Sequence, residues 1–258
     1  MLNSMKRVVL AVSALLATHA LAAGPQEAPA PKASVVFVHG AFADGSSWNK
    51  VIPLLQAKGL EVIAVQNPLS SLADDVAAAK RAIAAAKGPV VLVGHSWGGT
   101  VITEAGSDPK VKTLVYVAAA ANDPGGSFND LTKGYPVPAG FAEVRADASG
   151  FATLTPVGVA KHFAQDASPA EKNLISVTQG PIRGANFDEK VSAAAWQSKP
   201  SWYVVAAQDH MIQPDLQRAL AAKIKAKTTV LDTGHVPMLT APEKVAAVIE
   251  DAAKSASK

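Results

Sequence analysis

Val90-Val91-Leu92-Val93-Gly94-His95-Ser96-Trp97-Gly98-Gly99 is the most informative run of this 258-residue chain. An apolar, β-branched segment leads into G-x-S-x-G, and an amphipathic stretch, Thr100 to Ala105, follows. Strand, sharp turn and helix with a serine at the apex is the form of a nucleophile elbow. The apex serine must sit on a strained turn so that its hydroxyl points out of the sheet. Gly94 and Gly98 have no Cβ, so the backbone can close around it. The competing reading is a plain glycine-rich turn, and the partners of Ser96 decide between the two.

Segments of the same kind lie on both sides. Ser34 to Val38 is a short continuous apolar run, which suits a strand buried on both faces. Ser46 or Ser47 is placed to cap a helix reaching about Lys58, with Gly59 as its stop. Leu60 to Val65 reads as the next strand, and Leu72 to Lys87 as a long alanine-rich helix closed by Gly88-Pro89. Val111 to Val117 is a further strand, ending in the small-residue run Ala118 to Ala121. After a break, Ser201 to Ala207 is a strand, Pro214 to Lys225 a helix and Thr228 to Leu231 a strand. Pro242 opens a last helix running to about Ala253. About six strands alternating with helices predict an α/β fold with a parallel sheet and right-handed crossovers.

The break is residues 122–198, rich in proline and glycine and holding Phe128, Tyr135, Phe141, Phe151, Phe163, Phe187 and Trp196. It reads as a cap of short helices and loops inserted over the carboxyl edge of the sheet. It is too short and too weakly apolar for a second independent domain.

Composition bounds the rest. With 17% charged and 49% hydrophobic residues the chain is ordinary globular protein. Lys6-Arg7, an apolar run from Val8 to Ala17 and the Ala20-Leu21-Ala22 site read as a secretory signal peptide, residues 1–22, cleaved near Ala22/Ala23. Met5 is an alternative start, and a retained anchor the alternative fate. The apolar run is too short to span a membrane comfortably, so no stable membrane span is expected after cleavage. Residues 23–33 read as a flexible N-terminus and 34–258 as the folded domain. The expected location is periplasmic or secreted. Loss of Lys6 and Arg7 lowers the formal charge from +3 to +1. No basic run or stacking platform points to nucleic acid. There are no cysteines, so a structural zinc–thiolate site is excluded; no metal or organic cofactor is implied.

Ligands of open α/β sheets bind beyond the carboxyl ends of the strands. There the sequence places His39-Gly40-Ala41, Ser96-Trp97, Gln208-Asp209-His210 and Thr233-Gly234-His235. A serine, an acid and a histidine thus follow in the order Ser…Asp…His, the chain order of a hydrolase triad. Ser96 attacks, His235 moves the proton and Asp209 orients the imidazole. The oxyanion needs preorganised donors, and the N–H groups of Trp97 and Ala41 are placed to supply them. Asp123, after the fourth strand, is the competing acid; Asp232 reads as a strand end. His39 and His95 read as structural, His162 lies in the cap, and His210 directly follows the acid. The side chain of Trp97 walls the pocket or joins the core; the sequence leaves both open.

These motifs resemble the α/β-hydrolases of the plant methylesterase and hydroxynitrile lyase branch, and more closely its bacterial, salicylate-esterase-like relatives. The resemblance rests on His39-Gly40-Ala41-Phe42, Gly94-His95-Ser96-Trp97-Gly98-Gly99, Gln208-Asp209-His210 and Gly234-His235-Val236-Pro237-Met238. It covers about 34–121 and 199–255 and is weak in the cap. It implies the α/β-hydrolase fold, an oxyanion N–H at Ala41 and the acid at Asp209. Lyases of that branch carry threonine at the position of Gly40 and lysine at that of Val236, so the resemblance favours an esterase. Asp209-His210 also departs from the Asp-Lys or Asp-Arg of relatives. The expectation is a serine esterase acting on a small-molecule ester, with Phe42 and Met238 lining the pocket and an aromatic acyl group as the narrower guess. A perhydrolase, C–C hydrolase or lyase on the same site, or a ligand binder with little turnover, are the rivals. The oligomeric state is not legible.

Overall fold

The computed structural model describes residues 32–257. The signal-peptide reading of 1–22, and most of the N-terminal segment after it, lie outside the described residues.

Six parallel strands form the central sheet in the order β2-β1-β3-β4-β8-β9. They are β1 (Ser34–Val38), β2 (Glu61–Ala64), β3 (Val90–His95), β4 (Val111–Val117), β8 (Ser201–Ala206) and β9 (Lys227–Leu231). Every residue of β1, β3 and β8 is buried, as their unbroken apolar runs require of strands covered on both faces. Helices α1 (Ile52–Ala57), α2 (Leu72–Ala85), α3 (Gly98–Ala105), α7 (Pro214–Lys223) and α9 (Pro242–Ala256) supply the cover. Helix α1 packs with α9, and α2 with α3. The chain leaves β1 toward β2, then crosses back over β1 to β3 and proceeds the other way. The winding therefore reverses between β1 and β3, where the crevice of such a sheet opens.

The first helix is not the one the sequence suggests. A 3-10 turn, Gly45–Trp48, is capped by Asp44, whose carboxylate accepts from Ser46 N, and α1 begins only at Ile52. The cap residue is thus Asp44 rather than Ser46 or Ser47. Gly59 does end the segment, at φ 74°.

Between β4 and β8 the chain builds the cap. It contains α4 (Phe128–Thr132), α5 (Pro156–Gly158, continued as a π-turn to Phe163) and α6 (Pro169–Thr178). It also contains an antiparallel sheet, β5 (Val144–Ala146), β6 (Phe151–Leu154) and β7 (Ile182–Arg183), beyond the helices and loops expected. The last short helix, α8 (Pro237–Thr240), follows β9. Among the described residues no helix is long and apolar enough to cross a membrane.

Candidate active site

Val38 of β1 lies beside Gly94 of β3 in the parallel register. The turns that follow, His39-Gly40-Ala41 and His95-Ser96-Trp97, are therefore neighbours at the carboxyl edge of the sheet. Ser96 is left-handed at φ 53°, a conformation that costs a non-glycine residue about 1–3 kcal/mol and persists only where its surroundings fix it. The surroundings are its own peptide bonds. Ser96 N donates to Val117 O (3.3 Å), and Ser96 O accepts from Gly99 N (3.0 Å) and Ala120 N (3.1 Å). A Cβ on Gly98 would run into the carbonyl oxygen of Val38, and one on Gly40 would lie 2.6 Å from Ser96 Cβ.

Asp209 and His235 meet from the turns after β8 and β9. His235 Nδ1 lies 2.7 Å from Asp209 Oδ2, with both side chains buried. The other carboxylate oxygen, Oδ1, accepts from Met211 N (2.6 Å) and Ile212 N (3.0 Å). Oδ2 also accepts from Gln217 Nε2 at 2.7 Å. Both oxygens of Asp209 thus act as acceptors. His235 then donates its Nδ1 proton to Asp209, which leaves the lone pair on Nε2. That Nε2 is buried and has no hydrogen-bond partner among the described residues. The backbone N–H groups of Ala41 and Trp97 also donate to no protein acceptor among the described residues. A strained serine, an imidazole with a free lone pair and two unused donors suit addition of a hydroxyl to a carbonyl.

The other histidines have different work. His95 Nε2 donates to the carbonyl of His235 at 2.8 Å, and burial drives its pKa well down, so it stays neutral. His39 accepts Asn67 N on Nε2 and donates to Gly40 O from Nδ1, both at 2.9 Å; burial lowers its pKa too. These two bonds stiffen the turn that carries Ala41. His162 and His210 face each other across the cap boundary, Nδ1 to Nδ1 at 3.3 Å. The carboxylate bonded to His235 is that of Asp209, whereas Asp123 pairs with Lys223 Nζ at 2.9 Å. Asp232 accepts from Gln208 Nε2.

The cap grips the turns that carry Asp209 and His235. Phe163 packs edge-on against the His235 ring at 5.2 Å. Gln165 Nε2 donates to Gln208 O at 2.7 Å, and Asp166 Oδ2 accepts from Gly234 N at 2.8 Å. Phe42, left-handed at φ 63°, lines a cavity of about 40 Å³ together with Leu174, Ile175 and Leu239. Met238 is fully buried and does not reach that cavity. The Trp97 ring goes to the core: it is fully buried, meets Phe187 edge-on at 5.7 Å and donates to Asp75.

Gln217 and Asp75 are the residues that sequence reasoning missed. Gln217 is an ordinary polar residue of an amphipathic helix and gives no signal. Asp75 does give one: it falls in the apolar stripe Leu72, Val76, Ala79, Ile83 of α2, where a carboxylate is out of place. Among the described residues no group of three or more His, Cys, Asp or Glu side chains is placed to hold a metal ion.

Comparison with known proteins adds relatives. The model of the alpha/beta hydrolase family matches residues 35–248. The pyrethroid hydrolase of Sphingobium wenxiniae is 26% identical, over 84% of this chain and 86% of that one. Methylesterase 2 of Arabidopsis thaliana is 27% identical, over 82% and 92% respectively. The crystal structure of a pyrethroid hydrolase from Sphingobium faniae shares the fold at a TM-score of 0.75, with 21% identity over 86% of this chain and 98% of that one.

Proposed function

The chain belongs to the alpha/beta hydrolase family, and from that premise we propose that it is a serine hydrolase cleaving a small carboxylic ester through an acyl-enzyme. The observation that carries the reading is the buried His235–Asp209 pair with a free Nε2, whose imidazole lies 4.7 Å from the ring of His95, the residue before the left-handed Ser96. The named relatives include hydrolases and esterases, which supports ester cleavage over the rival reactions.

Ser96 Oγ forms a bond to the ester carbonyl carbon as its proton passes to His235 Nε2. The carbonyl oxygen becomes an oxyanion, held by the N–H groups of Ala41 and Trp97. The carbonyl re-forms, the alcohol leaves with the proton from His235, and the acyl group stays on Ser96. Water then adds, giving its proton to His235, and the acid departs as Ser96 recovers its own. Asp209 stays ionised throughout and stabilises the imidazolium.

Phe42 adjoins Ala41 and opens onto a cavity of mixed character, lined by Leu174, Ile175 and Leu239 and equally by Asp44, Ser46, Asn49 and Glu171, and a small ester is the substrate proposed. At about 40 Å³ that cavity holds only a few waters. An aromatic acyl group is the narrower part of the proposal, and export, from the leader-like 1–22, its cellular counterpart. Gly40 and Val236, where lyases of the related branch carry threonine and lysine, speak against a lyase. The test is hydrolysis of a p-nitrophenyl ester panel together with mapping of an organofluorophosphate adduct. Turnover lost in Ser96→Ala and an adduct on Ser96 are expected. Full turnover in Ser96→Ala, or an adduct elsewhere, overturns the reading.

A further inference from the structure

We propose that Asp75 is a positioning residue that fixes the oxyanion-binding N–H of Trp97 by gripping the indole of the same residue. The proposal rests on the esterase reading above.

Asp75 lies in the first turn of α2 and is fully buried, whereas its neighbour Asp74 is exposed and serves the helix cap. One carboxylate oxygen accepts from Trp97 Nε1 at 2.8 Å, and the other from Leu69 N at 2.7 Å. Among the described residues it has no cationic partner within ion-pair distance. Burial pushes its pKa up to about 6, helped by the charges of Asp74 on its own helix and Glu189 in the cap. A buried carboxylate without a cation is a poor packing element, and its persistence calls for a task that a neutral side chain performs badly. The two donors meet different oxygens of Asp75, and an asparagine in the same place would turn an N–H toward one of them.

The task is at residue 97. Its backbone N–H is unused by the protein, and it directly follows the strained Ser96. Its ring is pinned by the bond to Asp75 and by the edge contact with Phe187. An indole held at both its polar and apolar edges cannot change rotamer, so the Cα and the N–H behind it are held as well. Misplacement of a donor on the ångström scale costs catalysis heavily. The second bond of Asp75 reaches the cap. Leu69, left-handed at φ 59°, accepts on its carbonyl from Arg183 N (2.9 Å) and Asn186 Nδ2 (3.0 Å). One carboxylate thus anchors the oxyanion site and the cap base together.

The test uses Asp75→Asn, Trp97→Phe and the double variant. Each is assayed for kcat and KM on p-nitrophenyl acetate, for inhibition by an aryl trifluoromethyl ketone, and for Tm. The ketone probes the site directly: Ser96 Oγ adds to its carbonyl carbon, the proton moves to His235, and the new oxyanion needs the donors. Each single variant is expected to lower kcat and ketone affinity by the same factor, about 10- to 100-fold, with KM nearly constant. The double variant should be no worse than the weaker single one, because both break one linkage. Trp97→Phe leaves Asp75 in place and decides the matter if Asp75→Asn fails to fold. Unchanged kcat and ketone affinity in a folded variant, or additive losses, overturn the inference. If turnover survives Ser96→Ala, the esterase reading fails instead.

Discussion

Gln217 is the residue whose removal most directly tests how the acid is held. Its Nε2 donates to Asp209 Oδ2 (2.7 Å) and to Ile212 O (2.8 Å), while its Oε1 accepts from Ala206 N (2.9 Å). Gln217→Leu keeps the volume and deletes all three bonds. Loss of a hydrogen bond to a charged group costs about 1.5–3 kcal/mol, and each buried group left unpaired about 1–3 kcal/mol. Asp209 keeps Met211 N and Ile212 N, and Ile212 O has a second lone pair, so the sum belongs near the lower end, roughly 3–5 kcal/mol. At roughly 2–4 °C per kcal/mol for a domain of this size, Tm should fall by about 6–20 °C. Activity should fall further than stability explains. His235 would still bond Asp209, but to a carboxylate held on its other oxygen alone, and a wrongly held acid in a triad costs up to about 10⁴ in kcat. Since two backbone donors remain, about 10- to 100-fold is expected. The assay is kcat on p-nitrophenyl acetate well below the variant's Tm, beside thermal unfolding by circular dichroism. A fall in Tm with kcat intact would show that Gln217 only supports the β8 turn. No fall in either would refute the hydrogen-bond accounting itself.

Gly40→Thr should lower Tm by several degrees and kcat by at least about 100-fold, since overpacking costs about 1–3 kcal/mol and the new Cβ would sit 2.6 Å from Ser96 Cβ; steady-state kinetics and melting check both. Asp123→Asn should leave kcat within about twofold, because it breaks only a surface pair with Lys223, whereas Asp209→Asn should cost about 10⁴. For Asp75, the folded pKa of about 6 stands above the ordinary 3.8, so the folded chain binds the extra proton between those limits. The stability this gives is full below about 3.8 and is lost as pH rises through about 6, by roughly 3 kcal/mol in all. Melting of wild type and Asp75→Asn between about pH 5 and pH 8 should therefore show the asparagine variant gaining on wild type with rising pH; a constant difference refutes the shift.

The central sheet was legible because its strands are buried on both faces. Val35 to Val38 and Val90 to Val93 are fully buried, so nothing polar interrupts the run and no period has to be judged. The cap strands gave no such run. Phe151–Leu154 is half-exposed in alternation and Ile182–Arg183 is two residues long; their pairing is set by tertiary contact, which local sequence does not carry. Asp44 does not stand out in sequence because Ser46 and Ser47 are equally good capping residues on composition, and only the 3-10 geometry selects among them. The same holds in the site. The positions of Ser96, Asp209 and His235 followed from strand ends, a one-dimensional rule. Met238 followed the same rule, and its side chain is fully buried at the start of α8. Gln217 was invisible because its partner Asp209, eight residues away, is reached only once α7 packs on β8.

The two variable positions of G-x-S-x-G acquire a meaning the motif does not state. His95, before the serine, donates to the carbonyl of His235, so the strand that carries Ser96 also fixes the backbone of His235. Trp97, after it, spends its indole proton on Asp75, so the helix entry is tied to α2 and, through Leu69, to the cap. The glycines give the elbow its shape; the residues between them bind it to its surroundings in opposite directions. A serine held at φ 53° needs that, because relaxation of either neighbour would let the strain escape into the backbone. Two bonds from flanking side chains to separate elements close both routes. It follows that substitutions at His95 and Trp97 should act on the nucleophile's geometry before they act on folding, although neither side chain touches the reacting atoms.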